Sequence, residues 1–183
     1  MIKSDISFNG DYMCQVAIPN REISLVYNKE IIKQLDNFIP QGMIISLQEA
    51  IYTGDNDKFK EIIQMILIKS TSSFDTIGEN FYHGFMLGLC AMFGGTYITS
   101  NKESGVGRYD IQLKPVDKKM PGVLIELKYG KECTEEQLIE LSKEALQQII
   151  DKRYDTEMKT EGVEKIYKYG VAFSGKKVEV QMI

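Results

Sequence analysis

Apolar positions along this chain switch between a helical period of about 3.6 residues and the two-residue period of a strand, and the switches mark its elements. Tyr82, Phe85, Met86, Leu89, Cys90 and Phe93 recur at helical spacing and predict a helix over 79–93. Alternation then predicts strands at 96–100, 108–114 and 123–129. A second stripe, Leu138, Leu141, Ala145 and Ile149, predicts a helix over about 135–154. Strands at 165–173 and 177–182 close the chain as a hairpin around Ser174-Gly175. Helix, three strands, helix, two strands is the order of an α/β domain with a small mixed sheet flanked by helices.

The residues before that domain follow a different pattern. Short strands are predicted at 12–18 and 22–27 around the Pro19-Asn20 turn. Asn28 can cap a helix through Ile31, Ile32 and Leu35, Ser46 or Leu47 opens a second, and Asp55 or Asp57 a third. In the third, Phe59, Ile62, Ile63, Ile66 and Leu67 form the apolar stripe. The Ser/Thr-rich run 69–76 reads as a boundary, giving a mostly helical, linker-like N-terminal appendage (1–74) and a domain at 75–183.

Composition narrows the function classes. The 183 residues suffice for one cored domain with an appendage. A net charge of −4 argues against a protein that coats nucleic acid through a general positive excess, while leaving room for a nucleic-acid enzyme with a local basic groove. Three scattered cysteines and a single histidine, His83, argue against both a Cys/His zinc site and a disulfide framework. That cysteine usage suits a reducing, cytoplasmic setting. No stretch has the pattern of a signal peptide, and the apolar run 81–95 is too short to span a membrane.

The candidate chemistry lies on two strands. Alternation over 108–114 puts Tyr109, Ile111 and Leu113 on one face, with Asp110 and Gln112 on the other. Over 123–129, Val123, Ile125, Leu127 and Tyr129 share a face, opposite Glu126 and Lys128. If the strands pair as a hairpin across 115–121, one symmetric register sets Lys114 opposite Gly122 and Asp110 opposite Glu126. Cross-strand carboxylates repel unless a proton or a divalent cation lies between them. Mg²⁺ takes one or two carboxylates and keeps its waters, and Lys128 on the same face could polarise a bound water or hold a phosphate oxygen. The commoner meaning of such a pattern is a solvated polar face, with Lys128 merely neutralising Glu126. Both flanking helices, however, are apolar enough to cover a sheet.

Two more polar residues stand near apolar stripes. Glu79 lies one turn before Tyr82 and His83, where a carboxylate also suits a helix N-terminus, and Gln148 points nearly along the apolar row of the second helix. Taken together, Asp110, Glu126, Lys128, Glu79 and Gln148 form a convergent polar set.

Other signals are set aside. Residues 170–177 spell GxxxxGK but end in Lys177, with a strand following, so they are not a phosphate-binding loop. Gly105-Val106-Gly107 lacks a third glycine and reads as a tight lead into the Asp110 strand. His83 reads as a packing or hydrogen-bonding residue beside Glu79. Tyr82, Tyr97, Tyr109, Tyr129 and Tyr154 suit packing better than base stacking. Arg108, Lys114, Lys118, Lys119, Lys128, Lys131, Lys152 and Arg153 are the cations available to a phosphate backbone.

The runs 79–83, 100–110 and 125–128, with 145–149 followed by Tyr154 and the final 170–176 segment, resemble the PD-(D/E)XK nuclease superfamily. The closer likeness is to the nuclease-like C-terminal domain of bacterial AAA-ATPase-like proteins of unknown function. The resemblance implies a restriction-endonuclease-like core and a Mg²⁺-dependent (or Mn²⁺-dependent) nuclease acting on DNA rather than RNA. It also implies roles: Asp110 and Glu126 as metal ligands with the Leu127 carbonyl, Lys128 serving the attacking water, Glu79 assisting the metal, and Gln148 touching substrate or a metal-bound water. Tyr109 stands where the superfamily name has Pro. An AAA-ATPase-like partner and a homodimer are compatible with the likeness. The alternative is a non-catalytic nuclease-fold domain that binds an ATPase or nucleic acid.

Overall fold

The computed structural model describes residues 4–6, 12–14, 39–70 and 78–183. It divides into two units, Met1–Pro40 and Gln41–Ile183. In the first, β1 (Ser4–Ile6) pairs antiparallel with β2 (Tyr12–Cys14), Asp5 opposite Met13. The strand predicted at 12–18 thus begins as expected. The rest of it, the strand at 22–27 and the helix capped by Asn28 lie outside the described residues.

In the second unit, α1 (Gln41–Thr53) buries Ile44, Leu47, Ala50 and Ile51. It opens earlier than Ser46: Gly42 dilutes the helical signal of the first turn, and the buried Ile44 is what holds that turn down. In α2 (Asn56–Ser70), Asp55 Oδ1 accepts from the Lys58 amide at 3.0 Å as an N-cap, and the predicted stripe from Phe59 to Leu67 is buried.

α3 (Glu79–Cys90) stops short of residue 93, where the chain turns toward Gly94 and Gly95, the latter at φ 71°. Then come β3 (Thr96–Ser100), β4 (Glu103–Ser104), β5 (Gly107–Arg108), β6 (Ile111–Pro115) and β7 (Gly122–Tyr129). α4 (Glu135–Asp151), α5 (Thr156–Thr160), β8 (Ile166–Ser174) and β9 (Lys177–Met182) complete the chain. Thr134 and Gln137 form a reciprocal capping box at the start of α4.

The main sheet is mixed, in the order β3-β6-β7-β8-β9. β7 and β8 are parallel with α4 as the crossover, and the other pairs are antiparallel. Both faces of β7 are covered. On one, Tyr82 of α3 stacks on Phe173 (4.5 Å between ring centres) and Tyr129 (5.5 Å), and its hydroxyl donates to the Gly175 carbonyl at 2.7 Å. α1 and α2 join that side: Tyr169 donates to the Ile51 carbonyl at 2.7 Å and meets Phe59 edge to face. These two helices therefore share a compact unit with the sheet, although the Ser/Thr-rich run suggested a boundary after them. Their apolar stripes cover β8 and β9.

α4 covers the other face. It sits so close that a Cβ on Gly170 would run into the Ser142 carbonyl and the Leu146 amide. Gly170 stands opposite Glu126 in the parallel register, so the residue beside the Glu126 carboxylate is the one that lets the helix approach.

Candidate active site

The register that alternation suggested is present. Ile111 pairs with Ile125, Gln112 with Leu124 and Leu113 with Val123, which continues to Asp110 opposite Glu126. The strand over 108–114 is corrected in detail. Gly107–Arg108 pairs instead with Glu103–Ser104 as a small hairpin turned by Gly105 at φ 61°, and the chain bends at Asp110 before β6 begins. The bend moves Tyr109 off the face of Ile111 and Leu113. It is buried against Tyr154, Leu124, Ile149, Met158 and Val163 beneath α4, while its hydroxyl meets Thr99 at 2.7 Å and Gln112 at 3.2 Å. Gln112, expected on a polar face, is buried as well.

At this bend the polar set converges. The Leu127 amide donates to Asp110 Oδ2 at 2.8 Å. Glu126, only 3% exposed, receives Gln148 Nε2 on Oε1, while its Oε2 is buried without a hydrogen-bond partner. Lys128 Nζ donates to Gln148 Oε1 at 2.6 Å. One amide from α4 therefore joins the lysine and the glutamate of β7, keeping the ammonium from collapsing onto the carboxylate. The Gln148 amide nitrogen also lies 3.4 Å from the Tyr154 hydroxyl.

Glu79 differs from the others. It is exposed in the first turn of α3 and, among the described residues, makes no hydrogen bond or ion pair. It reaches Asp110 only as a like charge. Leu127 contributes its N–H to the site. Two residues outside the predicted set are also close. His83 Nε2 lies 3.3 Å from the Asp110 carbonyl and 3.3 Å from Asn101 Nδ2, and Tyr154 backs Gln148. The spacing of His83 four residues after Glu79, on the same helix face, was the signal available for the first.

Burial dominates the electrostatics. It lifts Asp110 above the ordinary carboxylate range, against the opposing pull of the Leu127 N–H. Burial, and then the neighbouring Asp110, push Glu126 up to about 8. Two desolvated carboxylates this close hold a proton or a cation between them. Among the described residues no group of three or more His, Cys, Asp or Glu side chains is assembled for a metal; a cation at this bend would have two carboxylates and backbone oxygen to draw on. That set suits a hard, oxygen-seeking cation that keeps several waters, and the unpartnered Glu126 Oε2 is the atom such a cation would satisfy. The residues fit Mg²⁺ or Mn²⁺.

A family model described as the PD-(D/E)XK nuclease superfamily matches residues 77–182, more than half of the chain. The chain belongs to the PD-(D/E)XK nuclease superfamily. Its mixed five-stranded sheet between helices is the restriction-endonuclease-like architecture of that superfamily. Asp110, Glu126 and Lys128 all lie within the matched residues. A search of curated proteins gave no match. Among the described residues, no helix is long and apolar enough to cross a membrane.

Proposed function

We propose that this domain is a metal-dependent nuclease hydrolysing phosphodiester bonds, with DNA rather than RNA as substrate. The observation that carries the reading is the buried, unpartnered Glu126 Oε2 facing Asp110 across the strand pair, in a chain of nuclease-superfamily membership. Asp110 and Glu126, with the Leu127 carbonyl, would hold Mg²⁺ or Mn²⁺. The bound ion supplies Lewis-acid charge for a phosphodiester oxygen and eases deprotonation of water.

The chain's own groups do the rest. The Leu127 N–H fixes Asp110 through Oδ2 and leaves Oδ1 without a hydrogen bond from that strand. Gln148 fixes Glu126 through Oε1 and leaves the buried Oε2 without a partner. Lys128, held by Gln148, presents an ammonium that orients the attacking water and takes up negative charge on the phosphate as the P–O bond breaks. In this reading Gln148 positions the lysine and the glutamate rather than gripping substrate. Glu79, at the exposed rim, adds negative charge that draws a cation inward.

The test is cleavage of linear, circular and single-stranded DNA, with an RNA control, in Mg²⁺ and in Mn²⁺. Activity that Asp110→Ala and Lys128→Ala each lower by at least ~10²–10³-fold is expected, the scale for removing one preorganised group at a developing charge. A parent without activity on every substrate, or variants as active as the parent, would overturn the reading. The first result would favour a non-catalytic nuclease-fold interaction domain.

A further inference from the structure

The eight cations that the sequence offered to a phosphate backbone fall into distinct groups. Several are already engaged. Lys114 pairs with Glu161 at 2.8 Å, Lys118 donates to the Glu161 carbonyl, and Lys128 is held by Gln148. Nearby, Lys102 pairs with Glu157 at 2.7 Å. Arg108, Lys152 and Arg153 are exposed and make no ion pair among the described residues. They are also neighbours, because the β4–β5 hairpin is seated on the carboxyl end of α4.

Three contacts fix that seat. The Val106 amide donates to the Lys152 carbonyl at 2.9 Å, and the Ser104 hydroxyl donates to the Tyr154 carbonyl at 2.9 Å. Gly105 lies so close to the Lys152 and Arg153 carbonyls that a Cβ there would overlap them. The Lys152 stem runs past Gly107, with its Cδ 3.5 Å from where a Cβ on that glycine would be. Val106 at the tip is 71% exposed. Of the adjoining carboxylates, Glu157 is paired with Lys102, while Asp151 accepts from the neutral Gln147 amide at 2.8 Å and keeps its charge. Glu103, opposite Arg108 in the hairpin register, makes no ion pair with it. Three exposed cations without ion-pair partners among the described residues thus stand together just ahead of Asp110, with Glu103 and Asp151 as the nearby carboxylates, in a chain whose net charge is −4.

We infer that the β4–β5 hairpin and the carboxyl end of α4 form a docking surface for the sugar–phosphate backbone of nucleic acid, with Arg108, Lys152 and Arg153 contacting phosphates. The identity of the partner rests on the nuclease reading; the surface rests on the hairpin's own geometry. Such contacts position a strand without reading its bases, so the surface accepts any sequence. Lys152 and Arg153 also complement the helix dipole at the end of α4, a role that would affect stability and leave binding alone.

The experiment is fluorescence anisotropy of a labelled 20-base-pair duplex in EDTA across 50–200 mM KCl, with thermal melts alongside. Three proteins are compared: the parent, the Arg108→Gln/Lys152→Gln/Arg153→Gln triple, and a control with the same charge change, Lys58→Gln/Lys143→Gln/Lys177→Gln. Each lost phosphate contact should lower the salt slope by about 1, so the first triple should lose two to three units of slope, and its affinity should fall between 50 and 200 mM by roughly 10–10²-fold less than the parent's. The control should bind within about twofold of the parent, on the same long-range electrostatic reasoning. Parent that does not bind, equal binding by the two triples, or a lowered melting temperature with an unchanged slope would each overturn the inference. A parent that cleaves while its triple binds normally would sink the surface and spare the nuclease. An inactive parent whose triple binds weakly would do the reverse.

Discussion

The two faces of β7 are both buried, yet they are held by different physics. On one, Val123, Ile125, Leu127 and Tyr129 continue into the stack of Tyr129, Tyr82 and Phe173, closed by a single hydrogen bond at its edge. Stabilisation there comes from apolar area and ring packing. On the other face, Leu124 joins an apolar cluster, but Glu126 and Lys128 interrupt it, and one glutamine from α4 holds both. The first face could be redesigned with any side chains that fill its volume. The second contains a buried oxygen with no partner, which costs stability that nothing in the fold requires. A covered face that retains such a cost suits the proposed metal site, and the apolar face opposite supports the strand that carries it.

Substitutions can separate the two. The largest effect on folding should come from Phe173→Ala, which opens the ring stack. It should destabilise by about 3–5 kcal/mol in urea denaturation, with kcat per folded molecule unchanged at low temperature. A change in kcat would mean that the apolar face does more than support. Gly170→Ala, which drives a methyl into the Ser142 carbonyl and lifts α4, should cost about 1–3 kcal/mol and also lower activity, because Gln148 moves with the helix. Gln148→Ala should lower kcat roughly 10–100-fold, the scale for outer residues that orient metal ligands. It should also cost about 1–3 kcal/mol in stability, since Glu126 Oε1 loses its partner, and Gln148→Glu should not restore activity, since a carboxylate cannot donate to Glu126. If Gln148→Ala acted through KM alone, it would be a substrate contact rather than a clamp.

The finest test is a pH dependence. Glu126 titrates at about 8 in the folded, metal-free protein, above the 4.5 of an unperturbed glutamate. Its contribution to stability is therefore fully present below about 4.5 and is lost as pH rises through about 8. The melting temperature of the metal-free parent should fall between pH 6 and 8.5 relative to Glu126→Gln, which lacks this titration. Parallel curves would show that Glu126 is not held in its protonated form.

How much of this was legible in the sequence differs between the same two faces. Apolar spacing located the long helices and the β6–β7 register, and through the register it brought Asp110 and Glu126 together, because side-chain alternation admits few pairings once one face is buried. Alternation misread the approach to Asp110. A positive φ at Gly105 and the seat on α4 create a hairpin and a bend there, and these depend on contacts about 50 residues away in sequence, such as Ser104 with Tyr154. The same bend hid the burial of Tyr109. That Gln148 would bridge Lys128 and Glu126 followed only from the close approach at Gly170, which no local pattern encodes.

The central claim, that the interrupted face of β7 is a divalent-metal site, is tested most directly by Mn²⁺ binding to the metal-free protein, followed by electron paramagnetic resonance. Saturable Mn²⁺ uptake is expected that Mg²⁺ displaces, that strengthens as pH rises toward 8 while Glu126 gives up its proton, and that is lost in Asp110→Ala and in Glu126→Gln. No uptake by the parent, or uptake that survives both substitutions, would contradict it.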